Sequence, residues 1–511
     1  MSRHDSDVTQ ASISLWQSAG SVWRLFPRAL RWWVIVLVIL AVVWLIATVI
    51  TQRAIDTELA AIEARGEPLT LAELAPRIAP GVLNAAAIYE AAFSSMPDPN
   101  NQKYDHALAD PTFARSYLGA REAALSQIRQ AANVRDCAFP VDWRQPVYEL
   151  NFPHYARLRE AARLLVLNSS LLAASGKADL ALGEINAAYN ISPHTMSDPV
   201  LIGALVGYAI IGIAHSGLEE SLSLSAPSPG ACRPAYDKIA LIDVETPFHR
   251  ALQGERAGAI AAFEDIRARR VSLRELIGGP DRFGVLRLVA AVYPTLGRPL
   301  FNVDEASALR LYRRMLEAHE LPHPQSGQAL SAVAADVDSL PAYTSLLTKM
   351  GFPVFGRADW SMRKAAATLA VDRAALAVAA FKAQTGSYPD ALDEVQALGW
   401  DLPTDPLTGD PLLYRCTPRG FTVWSIGPNM EDDGGVAYDS KTMDYSSGPY
   451  DITFICDPER ITDERAARKA AWDQSQVEKA EAENAKAENA SSRPRRRHGW
   501  GRLPPRFGGA Q

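Results

Sequence analysis

Trp32 to Ile50 reads WWVIVLVILAVVWLIATVI, nineteen residues without a charged side chain. This run constrains the fold more than any other stretch. A helix rises about 1.5 Å per residue, so the run can span a hydrocarbon core of ~30 Å. Trp32 and Trp33 suit one membrane interface. Arg24, Arg28 and Arg31 precede the run, and only Arg53 closely follows it. The positive-inside bias therefore places residues 1–31 in the cytoplasm. The run is too long, and starts too late, for an ordinary cleaved signal peptide. The expectation is a transmembrane signal anchor at 32–50, single-pass in the inner (cytoplasmic) membrane. Residues 54 onward would then be periplasmic.

Beyond the anchor the chain reads as helix after helix. With 511 residues, 48% of them hydrophobic, the chain can build more than one core. Residues 54–350 are expected to form a helical extracytoplasmic domain. FPHYARLREAARLLVLNSSLLAASG and KADLALGEINAAYNIS, joined at SGKAD, look like a tetratricopeptide-type hairpin, with Gly176 at a C-cap. No 34-residue period accompanies it. PVLIGALVGYAIIGIA, 199–214, has two readings. It is a second membrane span, or a buried helix whose Gly203, Gly207 and Gly212 permit close packing. Its length falls short of a usual span, which favours the buried helix. A net charge of −6 argues against a polyelectrolyte partner, so no nucleic acid is expected, and no small-molecule substrate is identified. Residues 458–511 read as a disordered charged tail, ending in a basic stretch with Arg493, Arg495, Arg496 and Arg497.

Catalytic motifs are sparse. HELPH, 319–323, matches H-E-x-x-H, in which two histidines on one helical face bind zinc and the glutamate acts as base. That chemistry needs an unbroken helix. Pro322 removes a helical hydrogen bond inside the motif, and Pro324 disfavours helical geometry at His323. A metal-dependent envelope hydrolase using His319, Glu320 and His323 is therefore the disfavoured alternative. His194 and His215, the latter near Glu219 and Glu220, read as structural or exposed histidines. The four cysteines form no C-x-x-C pair, and an oxidising compartment would allow disulfides. Three full pairings are possible. Cys416 with Cys456 is preferred, because both close predicted strands of one small module.

That module, 361–457, is the most specific part of the chain. A helix with Met362, Leu369 and Leu376 in one row is followed by TGSYP and a turn-rich link. PLLYRC and FTVWSI then form a hairpin around TPRG, and YDITFIC adds a third strand. Between the last two strands lies an acidic loop carrying Asn429, Glu431, Asp432, Asp433, Asp439, Asp444 and Asp451. Calcium prefers six to eight oxygen ligands, and glycines let a loop wrap the ion. The loop is not an EF-hand: counted from Asn429, Gly434 falls correctly at position six, but Ser440 stands at twelve.

The order T-G-x-Y-P, L-P-x-D-P-x-x-G-x-P-L-x-Y, S-x-G-P-N, D-D-G-G and D-I resembles the C-terminal domain of the major pseudopilin of type II secretion systems. The matching residues include Gly386, Tyr388, Pro389, Asp405, Pro406, Gly409, Tyr414, Ser425 and Gly427. The resemblance covers about a fifth of the chain. It implies an α+β unit with a small antiparallel sheet and a calcium loop, with Asp432, Asp433 and Asp451 as carboxylate ligands. Asn429 and Asp439 are further candidate oxygen donors. The chain departs from that family in its N-terminal leader and in the roughly 300 residues between span and module.

The expected fold class is mainly α: a transmembrane helix, a helical body, and a small C-terminal α+β pseudopilin-like module. The expected function is a non-enzymatic scaffold of the cell envelope, anchored in the membrane and carrying a calcium-stabilised module. Its partners would be the membrane and other envelope proteins. The alternative is a component associated with a type II secretion or pilus-like machine.

Overall fold

The computed structural model describes residues 27–272, 291–322, 325–341, 343–352 and 355–492. The chain is mainly helical, with one three-stranded antiparallel sheet among these residues. Helix α1, Arg28–Ala64, is 37 residues long and contains the apolar run. It is two helices in function. The apolar window is wholly exposed, whereas Ile55 and Ile62 beyond it are buried against Ile260, Ala306 and Leu309. One rod thus leaves the apolar zone and becomes part of the body without a break.

Short helices between 85 and 132 lead to α2, Pro153–Ala174, and α3, Ala178–Met196. Proline suits the first turn of α2, where its missing N–H costs nothing. Gly176 ends α2 at φ +71°, and Lys177 N–H closes onto the Leu172 carbonyl at 2.9 Å, a Schellman stop. The helical hairpin expected at 153–192 is therefore present.

Helix α4, Leu201–Leu224, contains the second apolar run. It lies against α2 and α3, with 61% of its most apolar window buried. A Cβ on Gly207 would sit 2.4 Å from Met196 Cγ, so the missing side chain is what lets α3 and α4 meet. The structure thus makes this run a core helix.

The body continues with α5, Pro229–Ile239, α6, Glu245–Arg267, and α7, Arg298–His319. Helix α7 lies along the lower half of α1. Helix α8, Phe355–Thr385, then covers the sheet. Its alanines, among them Ala374, Ala375 and Ala377, are buried on several sides, because body helices flank it as well. The strands are β1, Leu413–Cys416, β2, Phe421–Ser425, and β3, Ile452–Cys456, in the order β1-β2-β3. Every residue of β2 is buried. One hydrophobic core runs from the body helices through α8 into Phe421, Val423 and Phe454. The module expected at 361–457 thus shares its core with the body.

Two expectations need correction. Cys416 and Cys456 are free thiols and do not form the expected disulfide. Cys416 pairs with Phe421 across β1–β2, and Phe421 pairs with Cys456 across β2–β3. A whole strand therefore separates them, roughly 10 Å, beyond the reach of a disulfide. The tail is not wholly disordered either. Pro458–Ser492 forms helix α9, whose first half docks on the body. Ile461 is buried, and Trp472 stacks on His106 at 4.7 Å between ring centroids. A tail with few apolar residues docks because those few meet partners. Residues 493–511, with the basic stretch, lie outside the described residues.

Candidate functional site

The acidic loop is shaped by β2 and β3, which fix its ends. Gly427 sits where a Cβ would come 1.5 Å from the Tyr450 carbonyl oxygen, so only glycine lets the two ends approach. Asp451, 1% exposed at the start of β3, accepts the Gly435 N–H at 2.7 Å and the Asp433 N–H at 3.4 Å. Burial raises its carboxyl above the usual range; these two N–H groups oppose the rise, while the Asp433 and Asp432 charges add to it. The structure therefore brings Asp432, Asp433 and Asp451 into one neighbourhood.

Both oxygens of Asp451 and one each of Asp432 and Asp433 are already engaged. Asp432 Oδ1 accepts from Trp424 Nε1 and from the Gly434 N–H, both at 2.9 Å. Asp433 Oδ2 accepts from Asn429 Nδ2 at 2.9 Å. Asn429 is thus turned toward Asp433 by its amide nitrogen, the end that repels a cation. Asp439 stands apart, accepting from the Lys441 N–H and the Thr442 hydroxyl, each at 2.9 Å. These bonds, the backbone N–H first, hold its carboxyl below the usual range. Among the described residues no three His, Cys, Asp or Glu side chains are placed to hold a metal ion. As folded, these carboxylates face N–H donors, and a calcium ion there would need Asn429 and several of those N–H groups to turn away.

The Asp405 turn is the best-built part of the module. Asp405 is buried and accepts from the Ser425 hydroxyl at 2.8 Å, the Ile426 N–H at 3.0 Å and the Leu407 N–H at 2.8 Å. Its carbonyl takes the Gly409 N–H at 2.7 Å, with Gly409 at φ +81°. The D-P-x-x-G pattern is therefore a device that ties the link to the end of β2.

HELPH does not make a zinc helix. Helix α7 stops at His319, and Glu320 is its exposed C-cap. His323 lies outside the described residues; Leu321 and Pro322, the two residues before it, are already outside the helix. His319 borders a cleft of about 610 Å³, with His249, Arg363 and the 406–409 turn on its other walls. Its ring packs against Phe248 and His249. Burial lowers its proton affinity, Asp359 opposes that, and His249 and Arg363 add to it.

The densest polar cluster lies where α4 meets α8 and β3. Asp372, fully buried in the middle of α8, accepts from Tyr189 Oη of α3 and from His215 Nδ1 of α4, both at 2.6 Å. Burial lowers the His215 proton affinity, but the Asp372 and Glu219 charges outweigh it and push it up to about 9. His215 is therefore an imidazolium at neutral pH, paired with a buried carboxylate. Glu219 Oε1 accepts the Ile455 N–H of β3 at 2.6 Å, and its other oxygen pairs with Arg460 of α9 at 3.2 Å. Glu220 pairs with Arg465 of α9 at 2.6 Å and accepts from the Ser170 hydroxyl at 3.0 Å. The edge of β3 is thus covered by α4 and closed to other strands.

This Tyr–Asp–His arrangement resembles a catalytic relay only in its residue types. The second His215 nitrogen faces Glu219 at 4.0 Å, and Phe454 lies edge-on to the ring. What the cluster can do is join three distant segments. The spacing of α8 carried a signal for it: Asp372 falls three residues after Leu369 and four before Leu376, a carboxylate in a mostly apolar row. Tyr189 had no such signal.

No family model matches the chain, and no curated protein or solved structure does either.

Proposed function

We propose that this chain is a single-pass protein of the cell envelope, held in the inner membrane by α1. Residues 54 onward lie on the periplasmic side and work as a non-enzymatic scaffold. The observation that carries the reading is the two-fold character of α1. An exposed apolar stretch runs without a break into a buried one, which suits a body set at a defined height above a bilayer. The buried ionic cluster supports a rigid body, because it ties the module helix and sheet to α3, α4 and α9.

Other envelope proteins are the partners this reading calls for, and a type II secretion or pilus-like machine is one such partner. The Asp405 turn is the feature that favours it, since it is the part of the pseudopilin-like pattern with the most elaborate bonding. Calcium is left out of the reading, because the loop oxygens serve its own N–H donors.

A topology reporter at the C-terminus tests the proposal. Fusion directly after residue 456 would displace α9, so the end of the chain is the better site. Activity of an exported reporter and retention in membranes washed at alkaline pH are expected. A cytoplasmic reporter, or release by the wash, rejects the reading. Co-purification with a secretion machine from detergent extract would select the narrower version.

A further inference from the structure

Helix α7 runs parallel to α1 in a nearly constant register. Trp44 Nε1 donates to the Leu296 carbonyl at 2.6 Å, 252 residues away. Asn302 Nδ2 donates to Thr51 Oγ1 at 3.3 Å, a separation of 251. Arg313 pairs with Glu58, 255 apart, and Arg65 with Glu317, 252 apart. Four contacts at nearly one offset mean that height on α1 gives height on α7. By that register Leu296 stands level with Trp44, and Leu300 level with about Thr48.

Both heights fall inside the apolar run, which ends at Ile50. Trp44 is six residues, or about 9 Å, short of that end. Leu296 is 73% exposed and Leu300 40% exposed, four residues apart. Next to Trp44 on α1, Val43 and Leu45 are exposed too. The apolar surface of α1 therefore continues sideways onto the start of α7. Scattered exposed leucines need no explanation, but a patch continuous with a membrane-spanning face does.

We propose that the approach to α7 and its first turn enter the bilayer beside α1, as a second, shallow membrane contact whose occupant is lipid acyl chain. This rests on reading α1 as a membrane anchor. Arg298 is the one charge between 291 and 303. The body is then fixed in rotation about α1 as well as in height, because two elements meet the bilayer instead of one.

The test uses the full chain in phosphatidylethanolamine–phosphatidylglycerol vesicles. Cys416 is exposed and the other three cysteines are buried, so Cys416→Ser gives a background for site-specific labelling. Single variants L296C, V43C and L241C carry an environment-sensitive fluorophore. The vesicles contain lipids with nitroxide quenchers on the acyl chain. Leu241 is 83% exposed on the body and Val43 lies in the apolar run. The expected result is blue-shifted, quenched emission at 296 and 43, and unquenched emission at 241. A label at 296 that behaves like 241, with 43 quenched, overturns the inference and leaves the anchor standing. Absence of quenching at 43 as well overturns the anchor reading itself.

Discussion

Asp372 and Asp439 carry the same carboxylate, and the chain puts them to opposite uses. Asp372 is fully buried and accepts hydrogen bonds from Tyr189 and His215, 183 and 157 residues away. Asp439 is exposed and bonds Lys441 and Thr442, two and three residues on. One joins three segments; the other closes its own turn. The acidic loop as a whole follows Asp439 more than Asp372, even though it holds six of the module's fourteen acidic residues. Counting acidic residues therefore points to the wrong place. What distinguishes a holding carboxylate is burial together with partners from distant segments.

The sharpest way to break the comparison is to remove each carboxylate. Asp372→Ala strands a half-buried imidazolium and a buried tyrosine hydroxyl. Breaking a buried pair this way costs about 3–5 kcal/mol. The loss should appear as a lower denaturant midpoint of the full chain in detergent, with the module and body unfolding less cooperatively. Asp372→Asn keeps an acceptor for Tyr189 and should cost less. If Asp372→Ala changes the midpoint no more than a surface substitution does, the cluster is not what holds the module to the body.

A pH titration sharpens the same point with a smaller effect. His215 is raised from 6.5 to about 9 in the fold. A raised value means the folded state binds the proton more tightly, so this stability is fully present below about pH 6.5 and is lost as pH rises through about 9. The loss is at most about 3.4 kcal/mol, taking 1.36 kcal/mol for each pH unit of the shift. It should shrink in Asp372→Asn, where only the Glu219 charge is left to raise His215. A midpoint that stays flat between pH 6.5 and 9.5 would contradict the pairing.

Helix after helix, the buried apolar helix α4 and the strand order of the module were all legible from apolar spacing and glycine placement. Gly207 did what an apolar run with small residues suggests, and α7 stops at His319, just ahead of Pro322. The links between segments were not legible. Tyr189 and Arg465 are ordinary residues until the fold brings Asp372 and Glu220 to them. The disulfide expectation fails for a topological reason: both cysteines end strands of one sheet, but Phe421 of β2 lies between them. The tail misled for the opposite reason. Its average composition is polar, but Ile461, Arg465 and Trp472 recur along its first turns and each finds a partner.

The α9 contacts give a middle-sized test. Arg465 donates to Glu220 and to the Ser170 hydroxyl, and is 29% exposed at its side chain. Arg465→Ala should cost about 1–2 kcal/mol, less than a fully buried pair because solvent screens it. Backbone hydrogen exchange should rise across 458–472 while β2 stays protected. Protection unchanged in α9 would mean that Ile461 and Trp472 hold the helix without the ion pair.

The smallest expected effect falls on the largest accumulation of charge. Asp439→Ala removes one local cap on an exposed turn and should shift stability by no more than about 0.5 kcal/mol. Chelator and added calcium should both leave the melting temperature of the full chain where it was. The reason lies in the direction of the donors: Trp424, Gly434, Gly435 and Asn429 all point N–H groups at the carboxylates a cation would need. Calcium would have to turn Asn429 over and displace those N–H groups before gaining its own ligands. A ligand that binds only the folded state raises melting in proportion to the logarithm of its concentration, so a site of useful affinity could not stay hidden in such a titration. A calcium-dependent rise abolished by Asp451→Asn but not by Asp439→Ala would show that the loop refolds around the ion, and would move the acidic loop to the Asp372 side of the comparison.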